Sequence, residues 1–413
     1  MNMIKNSRPV YGPQLRLSEE IDTTKYRQTG EDFYSKVVRI ADALKDGSEH
    51  FEQFKDILRH MRFLPAGRVQ NAMGAARQTT AYNCFVSGVI EDSMDSIMQR
   101  ATEAAETMRR GGGIGYDFSR IRPRGDLIKS LESRSSGPVS FMGIFDSICQ
   151  TIASSGHRRG AQMGVLRIDH PDIETFISAK QNSDKLTGFN ISVGVTDEFM
   201  QHLKAKTPFP LKFEARAYKE VDPVALWDAI MRSTWDYAEP GVLFIDRMNE
   251  MNNLNYIETI SASNPCAEQP LPPFGACLLG SFNLVKYVDM VKQKFDWDQF
   301  KDDIRVVVRA MDNVVDRTIY PLEEQQAEAK SKRRMGLGIT GLANAGEMFG
   351  KPYASDDFMV FMEQVMRDLR DTSYDASADL AQEKGPCPLW EREAYSSSKF
   401  IPTLPEDIKH KIM

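Results

Sequence analysis

The spacing of apolar positions divides the chain into alternating helical and extended segments. In EDFYSKVVRIADAL (31–44), Phe33, Val37, Val38, Ile40, Ala41 and Leu44 form a helical stripe, because side chains three and four apart share a face. The run AYNCFVSGVI (81–90) is rich in aromatic and β-branched residues and predicts an extended segment. Residues 92–95 then open a helix through DSMDSIMQRATEAAETM, which Gly111, Gly112 and Gly113 stop. IGYDFSRIR (114–122) predicts a strand. Strand, helix, glycine turn and strand, in that order, are the parts of a parallel βα unit.

The pattern recurs downstream. A helix over 138–153 leads through a Gly/Arg-rich loop to a strand at 164–168, and a further helix covers 172–180. FNISVGV (189–195) predicts a strand, with Thr196 capping the helix after it, and 222–238 is an amphipathic helix. A helical tract at 355–384 ends at Gly385 and Pro386, a strong stop signal. No repeat and no low-complexity linker interrupts the chain. The simplest organisation is a helical N-terminal lobe over 1–75 and one continuous α/β domain over 76–413.

Composition narrows the function classes. A net charge of -6 argues against a nucleic-acid-binding surface, so no direct nucleic-acid partner is expected. The sequence has no apolar run near ~18 residues, the length of a membrane helix, and its first residues lack the apolar core of a secretory signal. A cytoplasmic protein without a membrane partner is expected. There the five cysteines (84, 149, 266, 277 and 387) are held mainly as thiols. They show no CxxC, and the six histidines form no cluster, so no metal site is expected.

The segment SNPCAEQPLPPFGACLLGSFNL (263–284) carries the richest chemistry. Proline crowding makes a helix unfavourable over 264–273. An extended course over 264–268 would put Asn264, Cys266 and Glu268 on one face, setting an amide, a thiol and a carboxylate side by side. A carboxylate can act as general base and a thiol as nucleophile or hydrogen-atom donor. On spacing alone, a buried structural cysteine with solvated polar neighbours fits these residues equally well. Two other stretches suit a ligand. RRGGGIGYDFSRIRPRG (109–125) holds five glycines and five arginines, and SSGHRRGAQMG (154–164) is a basic glycine loop. Glycine lets backbone approach a ligand and arginine suits phosphate, although ordinary turns with exposed arginines share that composition.

NPCAEQPL followed closely by GACLLGSFNL is similar to the finger-loop region of ribonucleotide reductase large subunits. RFLPAGR (62–68), NCFVSGVIEDSMDSI, RRGGGIG, SGHRRGAQMG and RRMGLGITGLA (333–343) resemble that family in the same order, from about residue 8 to the last residues. The resemblance implies a partial ten-stranded α/β barrel with a helical N-terminal lobe and a finger loop near 264–268. It implies that Cys266 carries a thiyl radical that takes the ribose 3′ hydrogen, that Glu268 deprotonates the 3′ hydroxyl, and that Asn264 binds the same part of the sugar. Cys84 and Cys277 become the redox disulfide pair, and Asn83 and Gly113 line the substrate. Asp92, Ser93, Arg122 and Arg159 fall in a site for a deoxynucleoside triphosphate effector, with loops at about 123–136 and 154–164. Cys149 sits inside an apolar helical pattern and Cys387, in GPCPLW, follows a helix stop, so both are read as structural.

The resemblance also implies partners. The substrate is a ribonucleotide, with diphosphates favoured, and the product is a deoxyribonucleotide for DNA synthesis. An external dithiol such as thioredoxin or glutaredoxin re-reduces the enzyme, and the assembled form is a homodimer. The radical source is adenosylcobalamin, which the NPCAEQPLPP and NCFV segments favour, or a separate metal-containing subunit. No amino-terminal activity module and no later phosphate loop, tyrosine pair or tail cysteines are found. The barrel is therefore expected to be incomplete, inactive alone and completed by a C-terminal companion polypeptide. Two competing expectations are a nucleotide-binding regulatory or assembly fragment and another radical enzyme on the same barrel.

Overall fold

The computed structural model describes residues 11–128, 132–152, 160–181 and 185–413. Its centre is a six-stranded sheet in the order Gly241–Phe244, Phe189–Val195, Gln162–Arg167, Gly113–Asp117, Cys84–Val86 and Ala276–Cys277. The first five strands run parallel, and the last is antiparallel to Cys84–Val86. This is a curled half-barrel, of the α/β class expected from the strand and helix order.

One segment joins this sheet to a second. After Ala276–Cys277 the chain continues as Leu279–Asn283, which lies between Phe63–Pro65, antiparallel to it, and Gly336–Thr340, parallel to it. The Gly336 N–H donates to the Leu278 carbonyl at 2.7 Å, so the ladder runs on across the junction. Among the described residues, Gly241–Phe244 and Gly336–Thr340 each pair on one side only.

Side-chain alternation gives the six-stranded sheet two different faces. Phe85, Ile114, Tyr116, Phe189, Ile191 and Val193 point towards the helices and are buried. Helices Met94–Arg109 and Pro138–Thr151 cover this face with Ile97, Ala101, Ala104, Met108, Met142 and Phe145. Ser93 caps the first by accepting the Ser96 N–H at 3.2 Å, and Pro138 begins the second, where its missing N–H costs nothing. The other face carries Cys84, Val86, Met163 and Val165, on which Ala262, Leu271 and Cys277 pack.

The N-terminal helices Phe33–Leu44 and Ser48–Arg59 pack on the long helix Trp297–Arg317. Asp46, between them, accepts from Lys384 at 2.7 Å, Asn313 at 2.8 Å, Arg317 at 3.0 Å and Arg309 at 3.3 Å. Burial alone would raise its pKa, but these donors outweigh it and hold the carboxyl at about 2. One carboxylate thus ties the first helices to both Trp297–Arg317 and Asp356–Lys384.

The strand expected over 114–122 ends at Asp117. The Asp117 carboxylate accepts the Ser119 N–H at 2.9 Å and turns the chain. The helix expected over 172–180 is the short Ile173–Ile177. Helix Asp356–Lys384, capped by Ser355 and ended at Gly385 with φ of 88°, follows its sequence pattern closely. No helix of the described residues is long and apolar enough to cross a membrane.

Candidate active site

Residues 264–268 do not run extended, which corrects the single-face arrangement inferred from alternation. Ala262–Ser263 and Pro270–Leu271 pair antiparallel as the neck of a hairpin, with 264–269 as its loop. The Ala267 N–H donates to the Asn264 carbonyl at 3.0 Å, and the Asn264 N–H to the Gln269 carbonyl at 3.2 Å. The physical reason lies in Pro265 and Ala267. Pro265 cannot donate to a ladder and fixes its own φ, and Ala267 takes φ of 68°. That left-handed residue costs about 1 kcal/mol, which the turn hydrogen bonds offset.

The bend separates the three candidate groups by environment. Asn264 is fully buried at 0% exposure, whereas Cys266 and Glu268 are exposed on the loop. The Asn264 Oδ1 accepts the Gln269 N–H at 2.9 Å, and its Nδ2 is buried without a partner. Leaving a buried donor unpaired costs about 1–3 kcal/mol. A fixed acceptor end thus presents a free N–H₂. The Oδ1 of Asn83 is likewise buried and unpartnered.

Glycines let the hairpin lie directly on the sheet. A Cβ on Gly115 would collide with the Ser263 carbonyl oxygen, and one on Gly113 would lie 2.9 Å from Pro265 Cγ and 3.3 Å from Cys84 Sγ. Gly113 therefore sits between the hairpin and a cysteine of the sheet. Asn190, on Phe189–Val195, donates from Nδ2 to the Pro265 carbonyl at 2.7 Å.

Cys84 and Cys277 are register partners across the antiparallel pair, both buried. Directly opposed residues in such a pair have Cα atoms ~4.5–5.5 Å apart, inside the range a disulfide spans. Burial pushes the Cys277 thiol up, and the neighbouring Cys84, Glu268 and Cys266 push it further in the same direction. The Cys277 thiol therefore feels the other two site cysteines and the loop carboxylate electrostatically.

The expected effector residues lie at the other end of the Gly113 strand. The Asp92 carboxylate accepts from the Arg122 backbone N–H at 3.1 Å and from its Nε at 2.5 Å. Ser93 follows at the helix cap, and Arg122 also donates to the Leu127 carbonyl at 3.2 Å. Asp92, Ser93 and Arg122 are thus brought together. Arg159 lies outside the described residues, as do parts of both expected effector loops.

Sequence reasoning missed Gly115 and Asn190. The signal for both was alternation: Asn190 and Gly115 occupy the phase opposite to Phe189, Ile191, Ile114 and Tyr116. It also gave Arg68 no role, although a Cβ on Gly111 would lie 2.8 Å from its guanidinium carbon. Cys149 is buried beside Gly160 and Gly188, and burial pushes its thiol and that of Cys387 up. Among the described residues no His, Cys, Asp and Glu side chains gather as three or more metal ligands.

A parallel half-barrel carrying a cysteine hairpin on its inner face, above a facing pair of strand cysteines, defines a class of thiol-bearing α/β barrel. The profile of the ribonucleotide reductase barrel domain matches residues 82–410, and the chain belongs to that family. Vitamin B12-dependent ribonucleoside-diphosphate reductases of Thermoplasma acidophilum and Mycobacterium tuberculosis are each 37% identical to it, across 83% and 84% of this chain. A ribonucleoside-diphosphate reductase subunit alpha of Chlamydia pneumoniae is 25% identical over 84% of the chain. The chain spans about half the length of the first two relatives, 44% and 50%.

Proposed function

We propose that this chain supplies the cysteine-bearing half of a ribonucleotide reductase catalytic barrel, which reduces ribonucleoside diphosphates to deoxyribonucleotides in the cytoplasm. The observation that carries this reading is the hairpin itself. It presents the Cys266 thiol and the Glu268 carboxylate on the face where Cys84 and Cys277 are opposed, beside the unpartnered amide atoms of Asn264 and Asn83.

Each group then has one task. Cys266, as a thiyl radical, takes the 3′ hydrogen atom of the ribose while Glu268 accepts the 3′ hydroxyl proton. The free N–H₂ of Asn264 donates to the sugar hydroxyls, and Asn83 accepts from the substrate alongside Gly113. The 2′ hydroxyl leaves as water. Cys84 and Cys277 provide the two electrons and two protons and close to a disulfide. Glu268 gives its proton back to the 3′ oxygen, and Cys266 returns a hydrogen atom to C3′ and regains the radical. An external dithiol, thioredoxin or glutaredoxin in kind, reopens the disulfide.

The names of the relatives favour adenosylcobalamin over a separate metal-containing subunit. The exposed Cys266 thiol fits either, because an outside radical source can reach its sulfur. Adenosylcobalamin, when bound, supplies the one-electron chemistry that turns this thiol into a thiyl radical. Among the described residues the end strands of both sheets, Gly241–Phe244 and Gly336–Thr340 among them, pair on one side only, which supports completion of the barrel by a companion polypeptide, without which the chain is inactive. Asp92, Ser93 and Arg122 belong to the deoxynucleoside triphosphate site of a homodimer.

The test is a Cys266→Ser variant in the assembled enzyme, with radical source, reductant and effector. Deoxyribonucleotide formation is expected to vanish while effector binding stays at the wild-type level. Product formation by this variant would overturn the reading.

A further inference from the structure

We propose that Asn190 is a positioning residue for Cys266. Its side-chain amide holds the Pro265 carbonyl, and with it the peptide plane that leads into the cysteine. The inference rests on the reading of Cys266 as the radical-bearing thiol.

The hairpin is fixed in two zones. Its neck is held by the Ala262–Leu271 and Ser263–Pro270 pairing and by the hydrogen bonds that Asn264 makes with Ala267 and Gln269. Its underside rests on Gly115 and Gly113 through the Ser263 carbonyl and the Pro265 ring. Neither zone sets the rotation of the peptide between Pro265 and Cys266. Asn190 reaches that peptide from the sheet, with Nδ2 2.7 Å from the Pro265 oxygen. An acceptor carbonyl requires the N–H₂ end of the amide, so the orientation of the Asn190 side chain follows from the contact.

The placement of Asn190 is itself rigid. It is paired with Met163 of the Gln162–Arg167 strand, and two residues on, from Ser192, the same strand is paired on its other side with Gly241–Phe244 as well. Phe189 and Ile191, its neighbours, are locked into the helix-covered core at 1% exposure each. A residue held this firmly transmits the sheet's geometry to the loop. A misplacement of ~1 Å at a reacting atom can cost roughly 100-fold in rate. A single hydrogen bond at the loop has far less influence on whether the chain folds.

The test uses Asn190→Asp, which keeps the shape and replaces the donor with a carboxylate, and Asn190→Ala, in the assembled enzyme. Turnover should fall at least tenfold in both, with KM for the ribonucleotide within about twofold of wild type and the melting temperature unchanged. Backbone amides of 266–269 should exchange at least threefold faster, and the alkylation rate of Cys266 should change by a similar factor while that of Cys387 does not. Unaltered exchange and alkylation in both variants would overturn the inference, as would a rise in KM with turnover intact. The exchange and alkylation arms need no turnover. They therefore judge the positioning of the loop separately from the role of Cys266, which the Cys266→Ser variant judges.

Discussion

On the helix-covered face of the six-stranded sheet, Tyr116, Phe118, Phe145 and Phe189 close a dry aromatic cluster, with the Tyr116 and Phe145 ring centroids 4.8 Å apart. The one amide among them, Gln162, accepts from the Tyr116 hydroxyl at 2.9 Å and donates to the Phe145 carbonyl at 3.2 Å. On the opposite face the same strands carry Gly113, Gly115 and Asn190, and the hairpin laid there keeps Asn264 Nδ2 without a partner. One face satisfies every polar group it buries at the cluster's centre; the other withholds a donor and removes side chains to admit a loop. The packed core and the proposed chemistry thus lie on opposite sides of one sheet, and the difference can be attacked from either side.

The largest effect on folding should come from the aromatic face. Phe145→Ala removes a fully buried ring that contacts both Tyr116 and Phe118. Such truncations cost about 3–5 kcal/mol, and urea unfolding of the variant should show a loss in that range. A loss below about 1 kcal/mol would mean that the cluster is not the main anchor of the helices.

A smaller effect on folding and a larger one on activity should follow from Gly115→Ala. The added methyl meets the Ser263 carbonyl, which is backbone and cannot swing aside as a side chain would. Overpacking of this kind costs about 1–3 kcal/mol. The hairpin must lift from the sheet, so the assembled enzyme should lose most deoxyribonucleotide formation. If the variant unfolds as readily as Phe145→Ala, the two faces are one core and the division fails.

The aromatic face was largely legible in the sequence. Its periodicity is local, so the strand Phe189–Val195 and the helices Met94–Arg109 and Pro138–Thr151 lie where the apolar spacing puts them. The inner face was legible in composition and not in shape. Asn264, Cys266 and Glu268 were visible as chemistry, but the bend depends on Ala267 adopting a left-handed conformation, which its side chain does not advertise. The register of Cys84 against Cys277 depends on pairing between distant segments, which no local pattern encodes. The strand Gly241–Phe244 was missed for a related reason: it is four residues long and shows no clear alternation.

The finest probe of the inner face is the titration of Cys277. Burial raises its pKa first, and the charges of Cys84, Glu268 and Cys266 add to that in the same direction. The thiolate is the reactive form, so Cys277 should alkylate at least tenfold more slowly than the exposed Cys266 at pH 8, and its rate should keep rising beyond the ordinary thiol range near ~8.5. Linkage has the matching sign. Below that range the folded and unfolded chains both hold the proton, and above it the unfolded chain releases it first, so this thiol's contribution to stability is lost as pH rises. Glu268→Gln removes one of the repelling charges and should shift the Cys277 profile to lower pH. Because Glu268 is exposed and solvent screens it, the gain in alkylation rate at fixed pH should be only roughly two- to threefold. Mass spectrometry of the alkylated peptides at a series of pH values measures both effects. A Glu268→Gln profile identical to wild type, or displaced upward, would place the loop carboxylate too far from the strand cysteines to share a substrate with them.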